Sequence, residues 1–181
     1  MKRTLAALAM GLASTAAIAN TDNIYFHGTI TSGGTCPIEV VEPGTPPGQG
    51  QLTRITLGNA HASFFDSVGK QTREVPFALR VTPGGTCTIN PGEEGYVSFA
   101  ANYGAEGTDL FKLRPGGARG VALAIQDRSL TNLAPDQESV PYALDAAKPT
   151  DMLFYARFQS TAAVVNEGFA ETQAVFTVDI R

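Results

Sequence analysis

The chain has 181 residues, room for one ordinary domain. Apolar residues make up 43% and charged residues 17%, enough to bury a core, which excludes a disordered tail; a formal charge of −4 lacks the basic stripe that nucleic-acid binding draws on. With 19 Gly, 11 Pro, no Trp and two Cys, the punctuation argues for short strands and turns rather than long helices.

Lys2 and Arg3 form a positive head, Leu5 to Leu12 an apolar run, and Ala17-Ile18-Ala19 a small-residue cleavage site. This three-part pattern predicts a secretory signal peptide over 1–19, cut between Ala19 and Asn20. The apolar run is shorter than the ~20 residues a spanning helix needs, so no stable membrane insertion is expected. Cleavage removes two basic residues and no acid, taking the formal charge from −4 to −6.

Beyond the leader, alternation with period two recurs and no long stretch sustains a helical period. Ile24 to Ile30 puts Ile24, Phe26, Gly28 and Ile30 on one face, and Leu52 to Leu57 is a shorter candidate strand. Val75 to Val81 alternates Phe77, Leu79 and Val81 against Ala78 and Arg80, with Pro76 pushing its start toward an edge. Tyr96 to Ala101, Val121 to Ile125 and Leu153 to Phe158 read the same way. Ala174 to Ile180 closes the series, with Ala174, Phe176, Val178 and Ile180 on one face. Between them, 42–50 is rich in Pro and Gly and expected to be mobile, Pro83-Gly84-Gly85 and Pro115-Gly116-Gly117 are turns, and 134–150 is a long mixed loop. Alternating strands between turns predict one antiparallel β-sandwich.

Export gives Cys36 and Cys87 their meaning. With no Cys-x-x-Cys, and only His27 and His61 as further ligands, a metal site has no evident ligand set. In an oxidising compartment the expected state is one disulfide, and closing a separation of 51 residues would stabilise by roughly 4 kcal/mol through the denatured chain.

A strong strand at Ala174–Ile180, followed only by Arg181, poses a question of pairing. Inside a sheet such a strand needs neighbours on both sides, or it exposes an unpaired edge. Two arrangements remain open on periodicity alone. Either the Ile24–Ile30 strand pairs within the same chain, or the sandwich lacks a strand and receives one from another molecule.

The residues themselves resemble a known family. Asp22 to Ile30 followed by Cys36, Val75 to Val81 leading to Cys87, Gly120 to Asp127, and Phe154-Tyr155-Ala156-Arg157-Phe158 followed by Ala174 to Ile180 resemble, in that order, stretches of pilus subunits of the chaperone–usher pathway, the type 1 and P pilus class. The resemblance implies an incomplete immunoglobulin-like sandwich, lacking its final strand and completed by donor-strand complementation. It implies a donor extension over 20–31 and a pilin domain over 32–181. The donor residues would be Ile24, Phe26, Gly28 and Ile30, entering a neighbouring subunit's groove lined by Ala174, Phe176, Val178 and Ile180. The implied partners are a periplasmic chaperone, an outer-membrane usher and neighbouring subunits, and the implied destination is a pilus on the cell surface that contributes to adhesion. No cofactor or metal is implied.

The chemistry of strand addition suits these residue types. Ladder hydrogen bonds are indifferent to sequence, while alternate side chains read pockets. Burying Ile24, Phe26 and Ile30 would contribute roughly 1.5–3 kcal/mol each. Gly28 would fix register, since a slip of one residue turns every side chain outward. Four departures from the family pattern mark a divergent branch: Ile180 and Phe158 where tyrosine is usual, the added Pro83-Gly84-Gly85 turn, and the 42–50 insertion. With one domain and a donor-like strand, a shaft or adaptor role is expected rather than a two-domain tip adhesin.

Other classes fit less well. There is no His-Glu-x-x-His, no Gly-x-Ser-x-Gly and no phosphate-binding glycine loop, and Glu93-Glu94 reads as a solvated turn, so no catalytic residue is assigned. A self-contained secreted lectin-like sandwich would share the leader, the disulfide and the strands.

Overall fold

Alternating burial builds the three longest strands of this protein, which keep one face on a shared core and turn the other toward the surface. The computed structural model describes residues 24–28, as backbone, and 36–181. The predicted signal peptide, and Ile30 of the predicted donor strand, lie outside the described residues. The strands are β1 (Ile24–Gly28), β2 (Ile38–Val41), β3 (Val75–Val81), β4 (Glu94–Ala101), β5 (Ala105–Glu106), β6 (Leu110–Phe111), β7 (Val121–Gln126), β8 (Tyr142–Ala143), β9 (Thr150–Ser160) and β10 (Thr172–Ile180). A single 3-10 turn at Ala62–Phe64 is the helical element among the described residues.

Two sheets face each other. One has the order β1-β10-β4-β8, the other β2-β3-β9-β7-β6-β5, and every pairing is antiparallel except β1 with β10. The core between them is aromatic at its centre. Phe77 of β3 and Phe154 of β9 are register partners whose rings stack at 5.6 Å, and Phe99 of the facing β4 meets Phe154 edge-on at 5.1 Å. Such pairs add about 0.5–1.5 kcal/mol each beyond the area they bury. Tyr142 of β8 joins them at 5.4 Å from Phe154, its hydroxyl donating to the Leu153 carbonyl at 2.5 Å.

The sandwich has two poles. At one, β10 ends and β9 begins: Ile180 pairs with Gly95, Val81 with Thr150, and the Cys36–Cys87 disulfide ties the start of β2 to the turn after β3. At the other, β9 ends, β10 and β7 begin, and Thr161 N–H donates to the Gly120 carbonyl at 2.8 Å. The predicted disulfide is present, and β3 coincides with the predicted strand. Pro76 lies past the last β2 pairing, Val41 with Ala78, so at that point β3 is flanked by β9 and not by β2. The proline ring therefore costs no ladder bond toward β2.

Two expectations are corrected. Leu52–Leu57 forms no strand; Ile55 alone is fully buried there, plugging the core, while Thr53, Arg54 and Thr56 are exposed. A plug needs one apolar anchor and no ladder, so the short apolar alternation misled. The 42–50 segment is pinned rather than mobile. Glu42 and Gly50 close it with a 2.8 Å backbone bond, and the Arg80 guanidinium donates to the carbonyls of Thr45 and Pro46 at 2.7 and 3.2 Å.

Candidate functional site

The candidate site is the edge of β10. Its sequence alternates small or apolar residues with polar ones, and the structure converts that alternation into burial: Ala174, Phe176 and Val178 are buried, Ile180 is half-buried and packed on the core, and Gln173, Val175, Thr177 and Asp179 turn outward. On one side β10 pairs with β4 from Ala174 opposite Ala101 to Ile180 opposite Gly95. Phe176 there opposes Phe99, fixing the strand to the aromatic centre. Gly95 is needed at the other end of the ladder, where a Cβ would stand 2.8 Å from the Met152 sulfur.

On the opposite side of β10 lies β1. Ile24 pairs with Thr172, Phe26 with Ala174 and Gly28 with Phe176, in parallel. Three of the four expected donor positions therefore stand beside the expected groove strand, within one chain. Topology accounts for the direction. Seven residues separate Gly28 from Cys36, and Cys36 is fixed at the pole where β10 ends. A chain of that reach, at about 3.3–3.6 Å per residue, is used economically when β1 runs toward this pole. Run antiparallel, β1 would exit at the other pole and the linker would have to retrace the length of β10.

The polar surroundings of the site anchor the fold. Arg80 on the outer face of β3 is buried beneath the 42–50 segment and forks onto Asp151 at 2.5 and 2.8 Å. That hydrogen bond, ahead of the opposing cost of burial, holds the Asp151 carboxyl below the usual carboxylate range. Nothing in the sequence pattern singled out this clamp, because Arg80 sits at an outward position of its strand. Glu93 accepts from the Asn90 backbone and side chain at 2.9 and 2.6 Å, and Glu94 from the Tyr96 hydroxyl at 2.9 Å, so the acid pair is engaged in a turn and a strand start. Burial pushes the Tyr142 hydroxyl far up. Among the described residues no group of three His, Cys, Asp or Glu side chains could hold a metal ion, and no helix is long and apolar enough to cross a membrane.

A two-sheet sandwich whose last strand is closed on its open side by a segment leading in from outside the body defines a strand-complemented, immunoglobulin-like β-sandwich. The family model described as fimbrial protein matches residues 24–181, and the chain belongs to that family. The fimbrial subunit type 1 of Salmonella typhimurium is 26% identical over 127 residues, covering 67% of each sequence. Two solved structures share the fold. An antigen and type I fimbria protein of Burkholderia pseudomallei is 22% identical with a TM-score of 0.57, over 90% of this chain and 94% of that one. The P pilus rod subunit PapA is 18% identical with a TM-score of 0.58, over 81% of this chain and 99% of that one.

Proposed function

We propose that this chain is a structural subunit, of shaft or adaptor type, of an adhesive pilus built by the chaperone–usher route, and that it polymerises by donor-strand exchange. Membership of the fimbrial family supports the role. The observation that carries the mechanism is the pairing of β1 with β10 on the side away from β4. A strand held there is removable without breaking the β10–β4 ladder, and an equivalent strand from another copy can take its place.

On this reading Ile24, Phe26, Gly28 and Ile30 are the donor positions, and Ala174, Phe176, Val178 and Ile180 line the acceptor groove. A periplasmic chaperone holds the groove before the usher delivers the next subunit, and the assembled fibre stands on the cell surface. The body follows the donor strand closely, so each exchange brings a new body and a new groove.

Deletion of residues 20–31 provides the test. The shortened chain should form no polymer, yet should bind a synthetic peptide of residues 20–31 one to one and co-purify with the chaperone from the periplasm. A shortened chain that still polymerises, or that unfolds and binds neither peptide nor chaperone, would overturn the reading and favour a self-contained binding sandwich.

A further inference from the structure

A protein that grows by accepting a strand must accept it at the right edge, because any sheet edge with unpaired N–H and C=O groups is a template for pairing. Among the described residues four strands end a sheet: β1 and β8 in one, β2 and β5 in the other. β5 and β8 are two residues long, too short to hold a partner strand. β2 has four residues, and its far side is already taken. The Val40 carbonyl accepts from the Leu52 N–H at 2.7 Å, the Glu42 N–H donates to the Gly50 carbonyl at 2.8 Å, and Val41 stands opposite Gln51 in an antiparallel bridge. Parity gives the direction of these bonds. Both backbone groups of Val40 face away from β3, while Glu39 and Val41 pair with Arg80 and Ala78. Residues 50–52 therefore lie along β2 as a short extra strand. The fold-back is fixed from several sides: Gln51 Nε2 donates to the Glu39 carboxylate at 2.5 Å, the Thr45 hydroxyl donates to the Glu42 carbonyl at 2.7 Å, and the buried Arg80 holds the Thr45 and Pro46 carbonyls from beneath. Gly50 closes it at φ +71°, where a Cβ would run into the Thr45 side chain.

We infer that residues 42–52 are an edge guard, which occupies β2 within the chain and so restricts strand addition to β10; the restriction to β10 rests on the pilus-subunit reading above. The partner kept out is the β2 edge of a second copy of the chain. Two bare β2 strands could pair antiparallel about a two-fold axis, an isologous contact that needs no complementary side chains because ladder bonds are indifferent to sequence. Such a contact joins bodies sideways and competes with end-to-end growth. With the guard in place, the nine-residue β10 is the long edge that strand addition can use among the described residues. A turn open to solvent needs no buried cation beneath it. Arg80, anchored on Asp151, gives this one a fixed position over the sheet.

The test uses full-length chains in a saturating concentration of a synthetic peptide of residues 20–31. On the pilus reading the peptide caps every groove, so any association left over runs through another edge. Sedimentation should show the wild type as single capped chains. Leu52→Pro removes the N–H donated to Val40, and Gly50→Val breaks the fold-back where it closes; each should raise the associated fraction about tenfold. Adding Val40→Pro to Leu52→Pro should return it to the wild-type level. That ring takes an N–H from the edge and none from the β3 ladder, so it blunts β2 even as it removes a side chain packed on the core. Association caused by unfolding would instead grow with the second proline. Single capped chains in both Leu52→Pro and Gly50→Val overturn the inference, and so does association that Val40→Pro leaves unchanged or increases. A wild type that goes on polymerising in saturating peptide removes the donor–groove reading instead. An excess of association in Leu52→Pro over that wild type, reversed by Val40→Pro, then still supports a guarded β2, and the lack of such an excess overturns the guard as well.

Discussion

At the scale of single residues, the clearest consequence lies in the Arg80–Asp151 clamp. Asp151→Ala leaves a buried guanidinium without its carboxylate, and the cost expected from breaking such a pair is about 3 kcal/mol, read as a fall in urea-unfolding free energy. The same pair predicts a pH dependence. Its carboxyl titrates lower in the folded than in the unfolded chain, so its contribution is fully present above the ordinary value of 3.8 and is lost as pH falls through the lowered folded value. Urea titrations below pH 4 should show wild type and Asp151→Ala converging. Gly28 is the other informative residue. It is the register partner of Phe176, the bulkiest of the groove residues, and the lack of a side chain there suits a strand that must approach closely. Gly28→Leu is expected to lower polymer yield sharply, measured by sedimentation; an unchanged yield would sink the register role.

At the scale of elements, the β4–β10 ladder holds the strand proposed as the acceptor edge, and the disulfide ties the start of β2 to the turn after β3. Reducing Cys36–Cys87, or replacing both with Ser, should cost roughly 4 kcal/mol by freeing a loop of 51 residues in the unfolded chain, measurable by denaturation with and without reductant. Gly95→Val should destabilise through contact with Met152 and weaken peptide capture, since Gly95 is the ladder partner of Ile180. The elements also show how far a pattern carries. β4, β9 and β10 were legible, because period-two alternation over six or more residues matches a sheet with one buried face, while β3 and β7, buried on both faces along most or all of their length, stood out as short apolar runs between turns. β2 was missed at four residues, and β5, β6 and β8 at two each, since such short pieces hold too few alternations to stand out. They are strands only because a neighbour offers a ladder.

At the scale of the whole molecule, the seven residues between Gly28 and Cys36, together with the disulfide at the pole where β10 ends, account for β1 running parallel to β10. The cis pairing further predicts that polymerisation by isolated monomer is limited by release of β1, so its rate should level off as monomer concentration rises instead of increasing in proportion, as stopped-flow light scattering would show. A rate that stays proportional would mean that β1 does not hold the groove between exchanges.

The sequence by itself determined the class of fold, the disulfide partners and the alternation of Ala174–Ile180, because alternation and cysteine count act locally or on composition. It could not choose between pairing in cis and pairing in trans, since periodicity describes a face and not its partner. The tertiary structure decided that β1 lies parallel to β10 within the chain and that Arg80 is buried under the 42–50 segment. Each depends on residues far apart in sequence meeting in space, and only the closed sandwich brings them together.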